Sequence, residues 1–342
     1  RRKICVIINN RANYARIKSV LNHIKKNKNL KLQIILASSS ILDRFSSITE
    51  IIKKDGFKID YKLYTLVDGE NLVTMAKSTG LSIIEFTSAL SKLKPDIALV
   101  VADRYETLAA AIAASYMNIF LAHTQGGEIT GSIDESVRHA TSKLAHVHFP
   151  ATKKSKQNLI KMGEDPKNVY NFGCPSMDLI NLQNLKIDDK FKKKYENYGV
   201  GELKIDFNKP YIVVLQHPVT TEYGKERKYI TETAKVLVNL DMQVVWLWPN
   251  VDAGSDDISK SLITAKEEFS RSADAKKEEF EEKLEDTLSN MSYKADDILV
   301  ALEKKAAKGI QLSKLMLLWV QEQKSLEVFM LEQIQGLEQD QL

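Results

Sequence analysis

Cysteine is nearly absent from this sequence of 342 residues: Cys5 lies in an apolar strand pattern, Cys174 in a turn, and there is no third. That excludes a disulfide framework and a cysteine metal site, and it fits a reducing, cytoplasmic setting. Long apolar runs are missing too. The start, Arg1-Arg2-Lys3, passes directly into Ile4-Cys5-Val6-Ile7-Ile8, too short a run for a signal peptide, and no later run would span a bilayer, so no membrane partner is expected. The lack of an initiator methionine reads as a trimmed start. Charge of one sign is scarce as well: 49 basic against 45 acidic residues leave a net charge of +4, too small and scattered for a nucleic-acid stripe, while small anions stay open as ligands. Glycine is missing from the first strand-to-helix turn, Asn9-Asn10-Arg11-Ala12-Asn13-Tyr14, and no Walker A loop occurs anywhere, which excludes a dinucleotide fingerprint there and a P-loop ATPase.

What remains is 44% hydrophobic and 27% charged, enough apolar material for two globular cores. The first half alternates short apolar runs with segments of helical period. Strands are predicted at Ile4 to Ile8, Leu32 to Ala37, Tyr61 to Leu66, Ile97 to Val101, Ile119 to His123 and His146 to Phe149. Helices are predicted at Ala12 to Lys26, Leu42 to Asp55, Asn71 to Leu93, Tyr105 to Met117 and Asp134 to Ala145. Such alternation builds a doubly wound parallel sheet, with ligands at the carboxyl ends of the strands. A turn at Phe172-Gly173-Cys174-Pro175-Ser176 and a lysine-rich stretch lead into a second unit, with strands at Tyr211 to Gln216 and Met242 to Trp248 and a helix near Lys228 to Leu240. From Ser261 on there is no proline and no strand–helix alternation. Phe269, Phe280, Leu284, Leu288, Met291, Ile298 and Leu302 recur at helical spacing among many Lys and Glu, and a further helix is predicted from Ile310. Helices of this kind pack on one another or across a subunit interface, so the tail predicts self-association into a homo-oligomer.

The polar residues at strand ends are the candidates for chemistry. Arg11 stands where the first strand meets its helix, suited to bidentate capture of phosphate or to plain solvation. Asp103, Arg104 and Glu106 follow the run Ile97 to Val101; Asp103 reads equally as an acid–base group and as a cap of the next helix. The densest cluster runs from His123 to His139 and holds Gln125, Gly126, Gly127, Glu128, Gly131, Asp134, Glu135 and Arg138. Its glycines allow close approach of a ligand, and its histidines, carboxylates and arginine supply proton transfer and anion binding. Asp134 reads also as a cap. His146 and His148 are read as structural, His217 as a group at a strand's carboxyl end, and Gly173 to Ser176 as either a linking turn or a set of free N–H groups for phosphate.

Together these blocks resemble the hydrolysing UDP-N-acetylglucosamine 2-epimerases that supply N-acetylmannosamine for sialic and related nonulosonic acids. The likeness covers about residues 3–260. It rests on Asn10-Arg11-Ala12-Asn13-Tyr14, Ala102-Asp103-Arg104, His123-Thr124-Gln125-Gly126-Gly127-Glu128, Ile133 to His139, Gly173-Cys174-Pro175-Ser176, Gln216-His217-Pro218-Val219-Thr220-Thr221 and Pro249-Asn250-Val251-Asp252-Ala253-Gly254-Ser255. The resemblance implies an α/β, GT-B-like fold: a doubly wound, parallel, Rossmann-like sugar-side domain over 1–178, a partial second Rossmann-like, nucleotide-side domain over 179–260, and a charged amphipathic helical segment over 261–342. It implies UDP-N-acetylglucosamine or a related UDP-sugar as partner, no metal and no redox cofactor. It also implies that UDP is eliminated and the resulting 2-acetamidoglucal hydrated. By the same resemblance Asp103, Glu128, Asp134 and His217 match or neighbour the acid–base positions, and Arg11, Arg104, Gln125, Gly127, Arg138, His139, Ser176 and Asn250 are substrate contacts. Two departures stand out. Gln125 replaces a glutamate common in relatives, leaving Glu128 or Asp134 to cover its proton transfer. After Lys260 the family's Gly-Asn-Ser-Ser-Gly-type loop, arginine–glutamate helix start and Gly-Thr-Arg segment do not occur. The expectation is therefore a 2-epimerase, or else an inactive binding module that associates through its tail.

Overall fold

The computed structural model describes residues 1–42, 48–181, 187–195, 205–238, 240, 242–247, 249, 252–255, 257–262 and 318–320. They fall into two compact units, one built on Arg1–Leu185 with Val251–Ala253, the other on Lys186–Asn250 with Gly254–Gln323.

The first unit runs β1 (Arg2–Ile8), α1 (Arg11–Lys26), β2 (Leu30–Ala37), α2 (Thr49–Lys54), β3 (Tyr61–Leu63), α3 (Leu72–Leu93), β4 (Ile97–Val101), α4 (Tyr105–Tyr116), β5 (Phe120–Thr124), α5 (Ile133–Leu144), β6 (Val147–Phe149), α6 (Lys153–Lys161) and α7 (Pro175–Asn181). Its six strands are parallel in the order β3-β2-β1-β4-β5-β6, so the chain moves outward from β1 in one direction and then crosses to β4 and continues in the other. The apolar runs are strands because both faces are covered. Ile4, Val6 and Ile8 of β1 join one core cluster with Ile34, Leu36, Leu99 and Val101, while Cys5 and Ile7 join the other with Ile35, Ala98 and Val100. Helix starts are set by side chains: Asn10 accepts from the Asn13 N–H at 2.8 Å at the start of α1, and Asn71 forms a capping box with Thr74 at the start of α3. A buried ion pair, Lys18 Nζ to Asp55 Oδ1 at 2.9 Å, ties α1 to the end of α2, and Asp55 also accepts from the Tyr14 hydroxyl.

In the second unit α8 (Asp189–Tyr195) precedes β7 (Tyr211–Leu215), α9 (Glu226–Val238), β8 (Gln243–Leu247) and β9 (Leu318–Val320), with a parallel sheet in the order β7-β8-β9. Ile230, Ala234, Leu237, Val244, Trp246, Ile258 and Leu262 form its core. β9 corrects the expectation of a helix through Leu318–Val320: a short continuous apolar run has no period to separate strand from helix, and here it pairs with β8. The helix predicted through Phe269 to Leu302 lies outside the described residues. Among the described residues no helix is long and apolar enough to cross a membrane.

Candidate active site

The carboxyl ends of three strands of the first sheet turn sharply. Ser38 after β2, Ala102 after β4 and Gln125 after β5 all have φ between +55° and +60°, a region that non-glycine residues rarely enter. At Ala102 both peptide groups are held. Its N–H donates to the Thr124 carbonyl at 3.0 Å, and its carbonyl accepts from His123 Nε2 at 2.8 Å. Asp103 follows, and it does not cap the next helix: the N-cap of α4 is Arg104. The Asp103 carboxylate pairs instead with the guanidinium of Arg138 on α5, whose side chain is only 3% exposed. Arg138 Nη1 also donates to the Glu128 carbonyl at 2.7 Å. One arginine thus joins the loop after β4 to the loop after β5, with charge-assisted bonds to both.

Arg104 is enclosed by a second set of acids. Its Nε donates to Glu106 Oε2 at 3.2 Å, its Nη1 pairs with Asp252, and it lies 5.1 Å over the Tyr105 ring. Glu106, 1% exposed, also accepts from Ser38 Oγ at 2.6 Å. Glu106 stands in the polar cluster singled out after Val101 but is given no role by the sequence, and Asp252 is given none either. A signal for Glu106 existed, because Glu106, Ala109, Ala110 and Ala113 recur at helical spacing and share the buried face of α4.

The glycines of the loop after β5 have a different reason from close ligand approach. A Cβ on Gly126 would come within 2.6 Å of Ser142 Oγ, and one on Gly127, at φ +82°, within 2.3 Å of the Ser155 carbonyl oxygen; both glycines let the loop pack against α5 and α6. Gly131, at φ +73°, faces open space. Gln125 Nε2 donates to Cys174 Sγ at 3.4 Å, linking this loop to the segment entering α7, where Ser176 occupies the first turn. Glu135 Oε2 accepts from the N–H groups of Thr130 and Gly131 at 2.7 and 2.6 Å, and these bonds hold its carboxyl below the usual range. His139 Nε2 lies 3.7 Å from Glu135 Oε1.

Asp134 is not the cap of α5 either, since Ser132 holds that position. Loss of solvation, then the neighbouring carboxylates Asp103 and Asp252, push its carboxyl up, against the opposing pull of Arg104 and Arg138. The residue as a whole stays exposed. His123 is a correction to the proton-transfer set: it is fully buried, and burial pushes its imidazole down to about 4, so it stays neutral. His148 keeps its structural reading, buried with Nε2 3.0 Å from Glu164 Oε2.

Asp103, Arg104, Gln125, Gly127, Glu128, Asp134, Arg138 and His139 thus gather along the carboxyl edge of β4 and β5. Arg11, 7% exposed, opens α1 at the same edge after β1. His217 belongs to the second unit. It is exposed after β7, beside a small hollow also lined by Gln216, Glu222, Glu226 and Tyr229, where the Tyr229 hydroxyl donates to Glu222 Oε2 at 2.6 Å. Asn250 lies outside the described residues. Among the described residues no cluster of three metal-ligating side chains occurs.

Comparison with known proteins places these features in context. The sequence model of the family described as UDP-N-acetylglucosamine 2-epimerase matches residues 22–287, reaching further along the chain than the motif likeness, which stops near residue 260. A UDP-N,N'-diacetylbacillosamine 2-epimerase (hydrolyzing) from Legionella pneumophila is 32% identical over 74% of this chain and 65% of its own length. A GDP/UDP-N,N'-diacetylbacillosamine 2-epimerase (hydrolyzing) from Campylobacter jejuni is 33% identical over 70% and 60%. A UDP-N-acetylglucosamine 2-epimerase from Neisseria meningitidis is 27% identical over 77% and 66%. The chain therefore spans somewhat less than two thirds of the length of these relatives. Among solved structures, a Neisseria meningitidis UDP-GlcNAc 2-epimerase bound to UDP-GlcNAc superposes with a TM-score of 0.61 at 21% identity, covering 77% of this chain and 70% of that one. A Methanocaldococcus jannaschii UDP-GlcNAc 2-epimerase in complex with UDP-GlcNAc and UDP gives 0.60 at 20%, covering 77% and 69%. At these identities the likeness shows the fold, an α/β, GT-B-like architecture of parallel sheets covered by helices.

Proposed function

The chain belongs to the UDP-N-acetylglucosamine 2-epimerase family, and from that premise we propose that it is a hydrolysing 2-epimerase, converting UDP-N-acetylglucosamine and water to N-acetylmannosamine and UDP. The observation that carries this reading is the meeting of Asp103, Glu128, Asp134 and Arg138 along one sheet edge. The hydrolysing assignment is supported by the two relatives at 32% and 33% identity, both named as hydrolyzing.

The reaction needs a base at C2, an acid, and a charge clamp on the leaving diphosphate. In the first step a carboxylate takes the C2 proton, the C–H electrons form the C1–C2 double bond, and the C1–O bond breaks to release UDP. In the second, water adds its oxygen to C1 and a proton is delivered to C2 from the opposite face. Asp103 is fixed in position by its pairing with Arg138. Asp134, its carboxyl raised, takes and returns a proton more readily at neutral pH than an ordinary aspartate does. Arg104 is paired with Glu106 and Asp252, and Arg11, where β1 meets α1, is the family-matched guanidinium for a phosphate of the sugar nucleotide. By the family resemblance His217 is taken as a further acid–base group.

The test is to incubate the purified chain with UDP-N-acetylglucosamine, and in parallel with the UDP-linked 2,4-diacetamido sugar, and to assay free UDP and the released sugar. Release of both products supports the reading, and the faster substrate identifies the sugar class. Asp103→Asn and His217→Ala should each lower turnover by roughly a hundredfold, the scale of a lost acid–base group. No release above background from a correctly folded first unit contradicts the reading and favours a non-catalytic binding module.

A further inference from the structure

We infer that His123 is a positioning residue for the site, holding the Ala102 carbonyl so that the chain turns Asp103 towards Arg138. This inference rests on the epimerase reading for its consequence in turnover, while its structural content stands on geometry. The imidazole is fully buried between β4, α5 and the loop after β5, out of reach of any substrate. Its two nitrogens have different partners, and the partners fix the tautomer. The Ala102 carbonyl can only accept, so Nε2 carries the hydrogen and donates at 2.8 Å; Nδ1 is then the acceptor for the Ser142 hydroxyl at 3.0 Å. A neutral ring with its hydrogen on Nε2 satisfies both bonds at once.

The residue so held is the one that needs holding. Ala102 has φ +60°, and its N–H is anchored on the Thr124 carbonyl. With its carbonyl anchored as well, the peptide plane leading into Asp103 cannot rotate, and the Asp103 carboxylate meets Arg138. Gly126 belongs to the same device. A Cβ there would approach Ser142 Oγ to 2.6 Å and His123 Nδ1 to 3.0 Å, so only glycine leaves the His123–Ser142 hydrogen bond undisturbed. Strain at the end of β4 is thereby maintained by β5 and α5, as expected of a backbone outlier that survives beside a site.

The experiment uses the full chain and three variants. His123→Met removes the donor at similar volume, His123→Gln restores an amide donor near the Nε2 position, and Ser142→Ala removes the Nδ1 partner without touching the Ala102 bond. His123→Met should lower kcat for UDP release by about ten- to a hundredfold, the scale of a misplaced reacting group, with KM within about threefold. His123→Gln should recover most of that loss, although both variants lower the melting midpoint alike. Heteronuclear NMR of the wild type should show His123 protonated at Nε2 and bare at Nδ1, and Ser142→Ala should keep that tautomer, because the Ala102 carbonyl can only accept. The Arg138 guanidinium signals should move in His123→Met and return in His123→Gln. Equal kcat in His123→Met and wild type, or a Gln variant that folds and is no better than Met, overturns the inference. If the wild type itself releases no UDP, the epimerase reading fails, and the NMR signals alone decide: Arg138 signals that stay fixed in His123→Met overturn the positioning role too.

Discussion

Alanine at Gly127 and alanine at Gly131 should have very different consequences, although the two glycines sit four residues apart and share a left-handed backbone, at φ +82° and +73°. For a residue with a Cβ that conformation costs about 1–2 kcal/mol, partly offset by about 0.4–1 kcal/mol from a stiffer unfolded chain. At Gly131 nothing lies within 4 Å of the added methyl, so the net loss is about 1 kcal/mol. At Gly127 the methyl would lie 2.3 Å from the Ser155 carbonyl oxygen and 2.8 Å from Leu159 Cγ, and a backbone carbonyl inside α6 cannot swing aside. Overpacking adds about 1–3 kcal/mol. Lifting the loop also breaks the bond from Asn158 Nδ2 to the Gly127 carbonyl, 2.9 Å long, worth about 1 kcal/mol. Gly127→Ala should thus cost about 3–5 kcal/mol against about 1 for Gly131→Ala. Tryptophan fluorescence is the wrong probe, because Trp246, Trp248 and Trp319 all lie outside Arg1–Leu185. Native-state hydrogen exchange on the β5 and β6 amides reads the first unit directly. Losses for the two variants that agree within about 0.5 kcal/mol, the scatter of an inert surface substitution, would refute the packing reason given for Gly127.

Asp134→Asn should stabilise the fold at neutral pH. The raised carboxyl of Asp134 means that the folded state binds more protons there than the unfolded chain, so its penalty is absent below the unfolded value and grows as pH rises through the folded one; melting midpoints of variant and wild type should coincide near pH 3 and diverge by pH 7, and no divergence would remove the carboxylate crowding from the account. Turnover should fall in the same variant. Asp55→Ala leaves Lys18 buried without its carboxylate and should cost about 3–5 kcal/mol, whereas the double variant Lys18→Met/Asp55→Leu should recover most of that in chemical denaturation; a double variant as weak as the single one would show that packing, not the stranded charge, sets the loss.

The central strands β1 and β4 were readable because each is an apolar run with both faces covered, and Ile97 to Val101 matches β4 residue for residue. Strand order was not readable in detail, since β1 pairs β4 across a separation of some ninety residues. The site followed the same division. Asp103, Glu128, Asp134 and Arg138 stand out in the sequence as polar residues after apolar runs, but the cap reading for Asp103 gives way to tertiary pairing with Arg138, 35 positions on, and that for Asp134 to an earlier helix start capped by Ser132. Gly126 and Gly127 were read as room for a ligand because a sequence does not reveal what lies behind a glycine; here it is Ser142 and Ser155. Glu106 was legible in principle from its place on an otherwise alanine-rich buried helix face. Leu318–Val320 was not, because three apolar residues carry no period.

Elimination followed by hydration is the central claim, and it leaves an isotopic record. In deuterium oxide the protein should turn UDP-N-acetylglucosamine into UDP and N-acetylmannosamine in equal amounts, with every product sugar carrying deuterium at C2, because the abstracted proton exchanges before C2 is protonated again. N-acetylmannosamine that keeps its original C2 hydrogen, or no UDP release from a protein whose β5 amides remain protected, would contradict it.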